Sequence, residues 1–282
     1  MGKPVNSRSQ TQDSTAPAAA PPAPGPVDKA MEVLSALVET GAPHRLADLA
    51  RHTGLAKPTV HRLLRSLAAQ GFAEPVQQGS YRAGPRLLGL AARVLDDDAA
   101  LALARPVLAE LRVRTGLFAS YAVRDDRTLV HLDVLAPAQG LGLDLRPGYR
   151  EHLTAGGAGF ALLAALPLDE TDRILAGVDD SDTTDATRAA LADIVRRGYA
   201  FDGTDAWQDR RALAAAVRDG AGRPVGVIVL TGLAFTLDDA AAELYGPMVR
   251  AAAGAVSTSL SAQAGVRLGL VTDAGRSAGE TR

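Results

Sequence analysis

Between Arg45 and Gln70 the chain reads RLADLARHTGLAKPTVHRLLRSLAAQ, two short amphipathic runs separated by a glycine. Leu46, Leu49 and Ala50 in the first run, and Val60, Leu63, Leu64 and Leu67 in the second, recur at helical spacing, so each run has one apolar face to bury. Gly54 suits the break between them, Pro58 the first turn of the second helix, and Gly71 its C-terminal cap. Upstream, Val27, Ala30, Met31, Val33, Leu34, Leu37 and Val38 trace a further helical face that stops before Gly41 and Pro43. Downstream, FAEPV, QQGS and YRA alternate as a two-stranded ribbon bending at Gly79. Three short helices followed by a ribbon restrict this part of the chain to the plan of a winged helix-turn-helix.

The second of the paired helices carries Lys57, Pro58, Thr59, His61, Arg62 and Arg65 around its start. A helix loaded this way can enter the major groove: arginine forks onto guanine, Thr59 and His61 reach phosphate or base, and the helix N-terminus attracts a phosphate. Arg45, at the head of the paired helices, joins this set. In the ribbon Gln77, Gln78, Ser80, Tyr81 and Arg82 form the expected wing. Many three-helix bundles expose arginine without touching DNA, but here the turn, the polarity of the helix and the ribbon agree.

Charge divides the same way. Residues 27–95 hold nine Lys or Arg against five Asp or Glu, and residues 96–282 hold nineteen against twenty-six. A polyanion partner is therefore expected for the first part only. Apolar residues make up 47% of the 282, enough for two domains with cores. There is no cysteine, which excludes disulfides and thiolate metal sites and makes a reducing cytoplasm the expected location. No apolar stretch approaches a membrane span or a secretory signal. Residues 1–26 hold six of the sixteen prolines and few large apolar residues, and are expected to be disordered.

The remainder suggests a helix from GPRLLGLAARVL to a seam at Asp96–Asp98, and a long helix ALALARPVLAELRVRTG with Pro106 as a kink or a new start. Strand-like runs follow in FASYAV, TLVHLDV and LGLDL, and TAGGAGFALLAALP leads from a loop into a helix. After a helix over 184–197, YAFDGTD, RALAAAVRD and PVGVIVLTG are strands, the last two joined by the hairpin turn DGAGR. A final helix runs from about Leu237 to Ser261. Hairpins outnumber crossovers, so the body is α/β with a mostly antiparallel sheet. The expected divisions are a tail (1–26), a winged helix-turn-helix (27–85), a linker helix (86–104), a second domain (105–264) and a flexible tail (265–282).

The run LADLARHTGLAKPTVHRLLRSLAAQGFAE with YRAGPRLLGL resembles the DNA-binding half of the IclR family of bacterial transcriptional regulators. GYREHLTAGGAGFALLAALP, GYAFDG and AAAVRDGAGRPVGVIVLTG resemble that family's effector-binding blocks in the same order. The resemblance implies a winged helix-turn-helix, a linker helix and a GAF-like α/β domain that binds a small molecule. It also implies a homodimer, or a homotetramer built as a pair of dimers, on a roughly palindromic double-stranded operator.

Several positions depart from the family's pattern. Thr154 stands where a histidine is common, Gly156 and Gly157 replace hydroxyl and methyl positions, Phe160 replaces a lysine, Ala212 a cysteine, and the usual acidic pair falls on Thr204 and Asp205. The candidate effector contacts are Leu143, Thr154, Gly156, Gly157, Phe160, Asp205, Trp207 and Ala212. Two glycines before a helix expose N–H groups suited to a carboxylate, or serve only close helix packing. Fewer polar groups and Phe160 imply an effector larger and more apolar than a short dicarboxylate.

Enzyme motifs are absent: there is no G-x-S-x-G elbow, no phosphate loop and no complete dinucleotide fingerprint. The five histidines show no metal-ligand spacing, and no cofactor or metal is called for. Trp207, Asp209, Arg210 and Arg211 fit pocket, interface or surface equally well. The expected function is a ligand-responsive, sequence-specific repressor with no membrane partner. The alternative is a small-molecule module whose helical half contacts protein instead of DNA.

Overall fold

The computed structural model describes residues 24–39, 43–138, 143–176, 181–205 and 210–277, with backbone alone at 39, 78, 181–185, 203–205 and 265–277. The chain divides into two compact units, Met1–Ala92 and Arg93–Arg282.

In the first unit helices α1 (Pro26–Glu39), α2 (Leu46–Thr53) and α3 (Lys57–Ala69) pack against one another. Their shared core holds Val33, Leu37, Leu49, Val60, Leu64 and Leu67, the inward positions of the three apolar stripes. Gly54, at φ 67°, ends α2 in the left-handed region, where a side chain would be strained. The Ala56 carbonyl then accepts the N–H groups of Thr59 and Val60 and opens α3. Pro58 fits that first turn because its missing N–H would have had no partner there.

The ribbon is wider than the sequence suggests. Strand β1 (His44–Arg45) pairs antiparallel with β3 (Ser80–Ala83), which pairs with β2 (Ala73–Val76), giving the order β1-β3-β2. Two residues are too few to display an alternation, so β1 leaves no mark in the pattern. A 3-10 turn at Gln77–Gly79 forms the bend, with Gly79 at φ 71°.

Helix α4 (Pro85–Asp96) has no buried residue and exposes Leu88, Leu90 and Val94. The linker expected as one helix over 86–104 is broken: α4 stops at Asp96, and Asp98 caps α5 (Ala99–Thr115) by accepting the Leu101 N–H at 3.0 Å. Pro106 lies inside α5 without ending it.

The second unit is built on strands β4 (Phe118–Asp125), β5 (Thr128–Leu135), β6 (Arg150–His152), β7 (Ala200–Asp205), β8 (Arg210–Arg218) and β9 (Pro224–Leu233). They form one sheet in the order β6-β5-β4-β9-β8-β7, with every pairing antiparallel. This is the mixed α/β body with an antiparallel sheet that the hairpin signals imply. LGLDL is not a strand in its described part, Leu143–Leu145; β6 supplies that edge instead. The β8–β9 turn is fastened by Asp219, whose Oδ1 accepts the N–H groups of Ala221 and Arg223.

Helix α5 and helix α9 (Asp239–Ser277) cover one face of the sheet, meeting Tyr121, Leu213, Ala215, Ile228 and Leu230. On the other face α6 (Gly157–Leu163), α7 (Leu168–Leu175) and α8 (Ser181–Arg197) enclose Ala122, Leu129, Ala214, Val227 and Val229. The last helix continues to Ser277, where the sequence suggested an end near Ser261 and a flexible tail from 265. Gly265, Gly269 and Gly275 each lower helix propensity by only about 1 kcal/mol, and no proline follows Pro247 in the helix. Of the expected N-terminal tail, residues 1–23 lie outside the described residues.

Candidate nucleic-acid interface and ligand cavity

Helix α3 is divided along its length. Val60, Leu64 and Leu67 are buried, whereas Lys57, Pro58, His61, Arg62 and Arg65 are exposed and Thr59 is half-buried at the same end. Among the described residues no ion pair engages Lys57, Arg62 or Arg65. Arg45 is also exposed, at the N-cap of α2.

The wing set is only partly available. Ser80 is 7% exposed and sits in the central strand, paired with Arg45 on one side and Val76 on the other, so it cannot be a surface contact. Tyr81 is half-buried and packs on the helical core. Arg82 is exposed, but its Nε donates to Glu74 Oε2 at 2.8 Å. The side chain of Gln78, on the bend, lies outside the described residues. Sequence alternation alone could not reveal that β1 closes over β3 and places Ser80 inside.

In the second unit a small cavity opens beside the start of α6. Gly156, Gly157 and Ala212 line it, as the sequence suggests. What demands glycine here is space: a Cβ on Gly156 would stand 2.9 Å from Asp202 Oδ2, and one on Gly157 would stand 2.8 Å from the Ala212 carbonyl oxygen. Close packing and cavity lining thus coexist at these two positions. The Asp202 side chain lies beside this turn.

The other candidates scatter. Thr154 bonds back to His152 Nδ1 at 2.9 Å and is not part of the wall. Phe160 packs into the core under α6. Leu143 lines a second, small cavity with Phe118, Pro137, Leu233 and Phe235, and Thr231 is common to both. Asp205 ends β7 with its side chain outside the described residues, and Trp207 lies outside them altogether.

The expectation of a less polar chamber fails for the first cavity, because its wall takes in His131, Tyr149 and Glu151, which the sequence did not single out, beside Arg210, which it left open between pocket, interface and surface. His131, Tyr149, Glu151 and Arg210 meet there. His131, 1% exposed, has its Nε2 2.9 Å from Glu151 Oε1 and its Nδ1 3.0 Å from Ser120 Oγ. Arg210 Nη1 donates to Tyr149 Oη at 2.7 Å, its Nη2 is 3.7 Å from Glu151 Oε2, and its guanidinium lies over the Tyr149 ring. Arg211, next in sequence, also lines the cavity; its Nη1 donates to Asp239 Oδ1, its guanidinium lies over the Phe201 ring, and its Nε is buried with no hydrogen-bond partner among the described residues. One clue was legible: in TLVHLDV, His131 shares the inward parity of buried Leu129. A histidine in an apolar slot needs partners.

Comparison with known proteins bears on both units. The model of the IclR helix-turn-helix domain matches residues 26–77, and that of the bacterial transcriptional regulator IclR C-terminal domain matches residues 92–258. The chain belongs to the IclR family of bacterial transcriptional regulators. Its IclR relatives include the HTH-type transcriptional regulator BhcR of Paracoccus denitrificans, 30% identical, with 76% of this chain and 79% of the relative covered. The transcriptional repressor IclR of Escherichia coli is 28% identical over 84% of this chain and 91% of its own length. An IclR homologue from Microbacterium hydrocarbonoxydans, solved in complex with 4-hydroxybenzoate, has the same fold at TM-score 0.71 and 21% identity, covering 84% of this chain and 100% of that one. Like other IclR proteins, this chain is a DNA-binding transcriptional regulator, and the alternative of a protein-docking helical half gives way to that. Among the described residues no helix is long and apolar enough to cross a membrane.

Proposed function

We propose that this chain is a repressor that lays α3 into the major groove of a palindromic operator and releases or retains it according to a small molecule held in the second unit. The observation that carries this is the division of α3, with Val60, Leu64 and Leu67 anchored and Lys57, His61, Arg62 and Arg65 presented to solvent. Arg45 and Arg82 flank that face, and the bend at Gln77–Gly79 serves as a short wing. The protein acts by binding rather than by turnover, in the cytoplasm, and needs no cofactor.

A homodimer, able to pair again into a tetramer, matches the two half-sites of such an operator. Val27, Met31 and Val38 form an exposed stripe along α1, and Leu88, Leu90 and Val94 are exposed on α4, which supports association through these helices. Effector binding acts as a population shift, favouring one spacing of the paired α3 helices over another. The apolar lining at Phe118, Leu143 and Leu233 supports an effector with an apolar part.

The test is a footprint on the DNA upstream of the chain's own gene, with and without effector candidates. A protected palindrome whose occupancy responds to one of them is expected. Absence of any protected site at low salt refutes the proposal.

A further inference from the structure

Resting on the reading of the second unit as the effector domain, we infer that residues 143–149 are a strap, latched shut by Arg210, that lifts to admit the effector and merges the two cavities as it does. Closed, the chamber is too small for an organic ligand. The first cavity has about 10 Å³ of free space, enough for about one water, and the second about 50 Å³. Sites for small molecules run to about 300 Å³ or more, so part of the wall has to move. The sheet is the fixed part: Ala212, Thr231 and Phe118 are cross-strand partners on β8, β9 and β4, held in the ladder. Residues 143–149 lie outside the strands, with Leu143 against the second cavity and Leu145 and Tyr149 against the first.

The strap has a firm root and a side-chain latch. Pro147 and Gly148 form its turn, with Gly148 at φ 88° and the Tyr149 N–H donating to the Arg146 carbonyl at 3.0 Å. Two backbone bonds tie that turn to β5: the Gly148 N–H donates to the His131 carbonyl at 2.7 Å, and the His131 N–H to the Tyr149 carbonyl at 2.9 Å. Further out, Leu145 is buried yet belongs to neither apolar cluster of this unit, so lifting it breaks into no core. The latch reaches in from β8. Arg210 Nη1 donates to Tyr149 Oη at 2.7 Å, its guanidinium lies over the Tyr149 ring, and its Nη2 stands 3.7 Å from Glu151 Oε2. Strands β5, β4 and β9 stand between β6 and β8 in the sheet, so these contacts span the cavity instead of following the ladder. The Arg210 and Glu151 side chains are 16% and 14% exposed, so water competes little with the bridge. Release of Tyr149 frees the strap while every strand pairing stays in place, and Leu143 and Leu145 lifting together open both cavities beside Thr231, which lines the two.

The chain has no cysteine, so a single introduced thiol reports opening without background. Iodoacetamide labelling is followed in the full-length protein at Leu145→Cys and, as a control in the sheet core, at Val229→Cys, each with and without Tyr149→Phe. That substitution removes the hydroxyl Arg210 holds and keeps the ring. Loss of a hydrogen bond from a charged donor is expected to speed labelling of Leu145→Cys about tenfold, with Val229→Cys changed less than about twofold. An unchanged rate at Leu145→Cys, an equal rise at both positions, or labelling of Leu145→Cys at the rate of the urea-unfolded chain before the latch is touched overturns the inference. Hydrogen exchange over residues 143–152, compared between wild type and Tyr149→Phe, reads the same opening without a thiol: faster exchange confined to that stretch is expected, and equal exchange overturns the strap. If the latch behaves in this way while no candidate effector alters the DNA footprint, the strap stands and the effector reading falls. If a candidate alters the footprint and labelling ignores the latch, the effector reading stands and the strap falls.

Discussion

Arg62 stands on the exposed side of α3 while Val60 and Leu64, within two residues of it, are buried, so Arg62→Ala removes a cation without opening the core. Surface substitutions of this kind change folding free energy by about 0.5 kcal/mol or less. On DNA the loss is larger. An arginine forked onto a guanine is worth about 1–3 kcal/mol, and a dimer on two half-sites makes the contact twice, giving about 2–6 kcal/mol. At about 1.4 kcal/mol per decade, specific affinity falls between about thirtyfold and about twenty-thousandfold. If Arg62 meets only phosphate, the dimer instead loses two counterion contacts, and the slope of log K against log salt becomes shallower by about 1.8 for operator and random DNA alike. Fluorescence anisotropy with operator and scrambled duplexes at several salt concentrations separates the two, beside a thermal melt. Leu64→Ala is the control for a structural role, costing about 2–5 kcal/mol of stability from a buried leucine. Unchanged DNA binding by Arg62→Ala, or loss of binding together with a lowered melt, refutes the placement of α3 in the groove.

Wild-type affinity should fall about a thousandfold or more between low and moderate salt if about six phosphates are contacted, which anisotropy checks directly; a flat salt response would contradict it. Gly157→Val drives a side chain toward the Ala212 carbonyl and Asp202, and is expected to destabilise by about 1–3 kcal/mol and to abolish ligand-induced change in a denaturant titration. Asp98→Ala removes the cap of α5 and should cost about 1 kcal/mol by the same measurement. Hydrogen bonds from Arg223 hold the Asp219 carboxyl below its ordinary value. Its contribution is therefore present above the ordinary aspartate range and lost as pH falls through the depressed value, so the gap in melting temperature between wild type and Asp219→Ala should narrow in acid.

Local signals carried the helix-turn-helix and the β8–β9 hairpin, since the 3.6-residue stripes of α2 and α3, the glycine between them and the DGAGR turn each act within a few residues. What failed to show were features fixed by distant partners. β1 exists only because β3 lies beside it, and Ser80 is inside for the same reason. The cavity wall gathers His131, Glu151 and Arg210 from three strands, so no spacing within one segment could announce it. Gly156, Gly157 and Ala212 were legible through the family's blocks. Phe160 misled because its place on α6 turns it into the core, and Thr154 because it bonds back to His152.

Strand β8 has a double allegiance. Its odd positions Leu213, Ala215 and Val217 are committed to the helices α5 and α9, whereas Arg210 and Ala212 line the cavity. Substitution at Arg210 or Ala212 can thus change the cavity wall without disturbing the packing of Leu213, Ala215 and Val217, so that one scaffold can carry differently lined chambers.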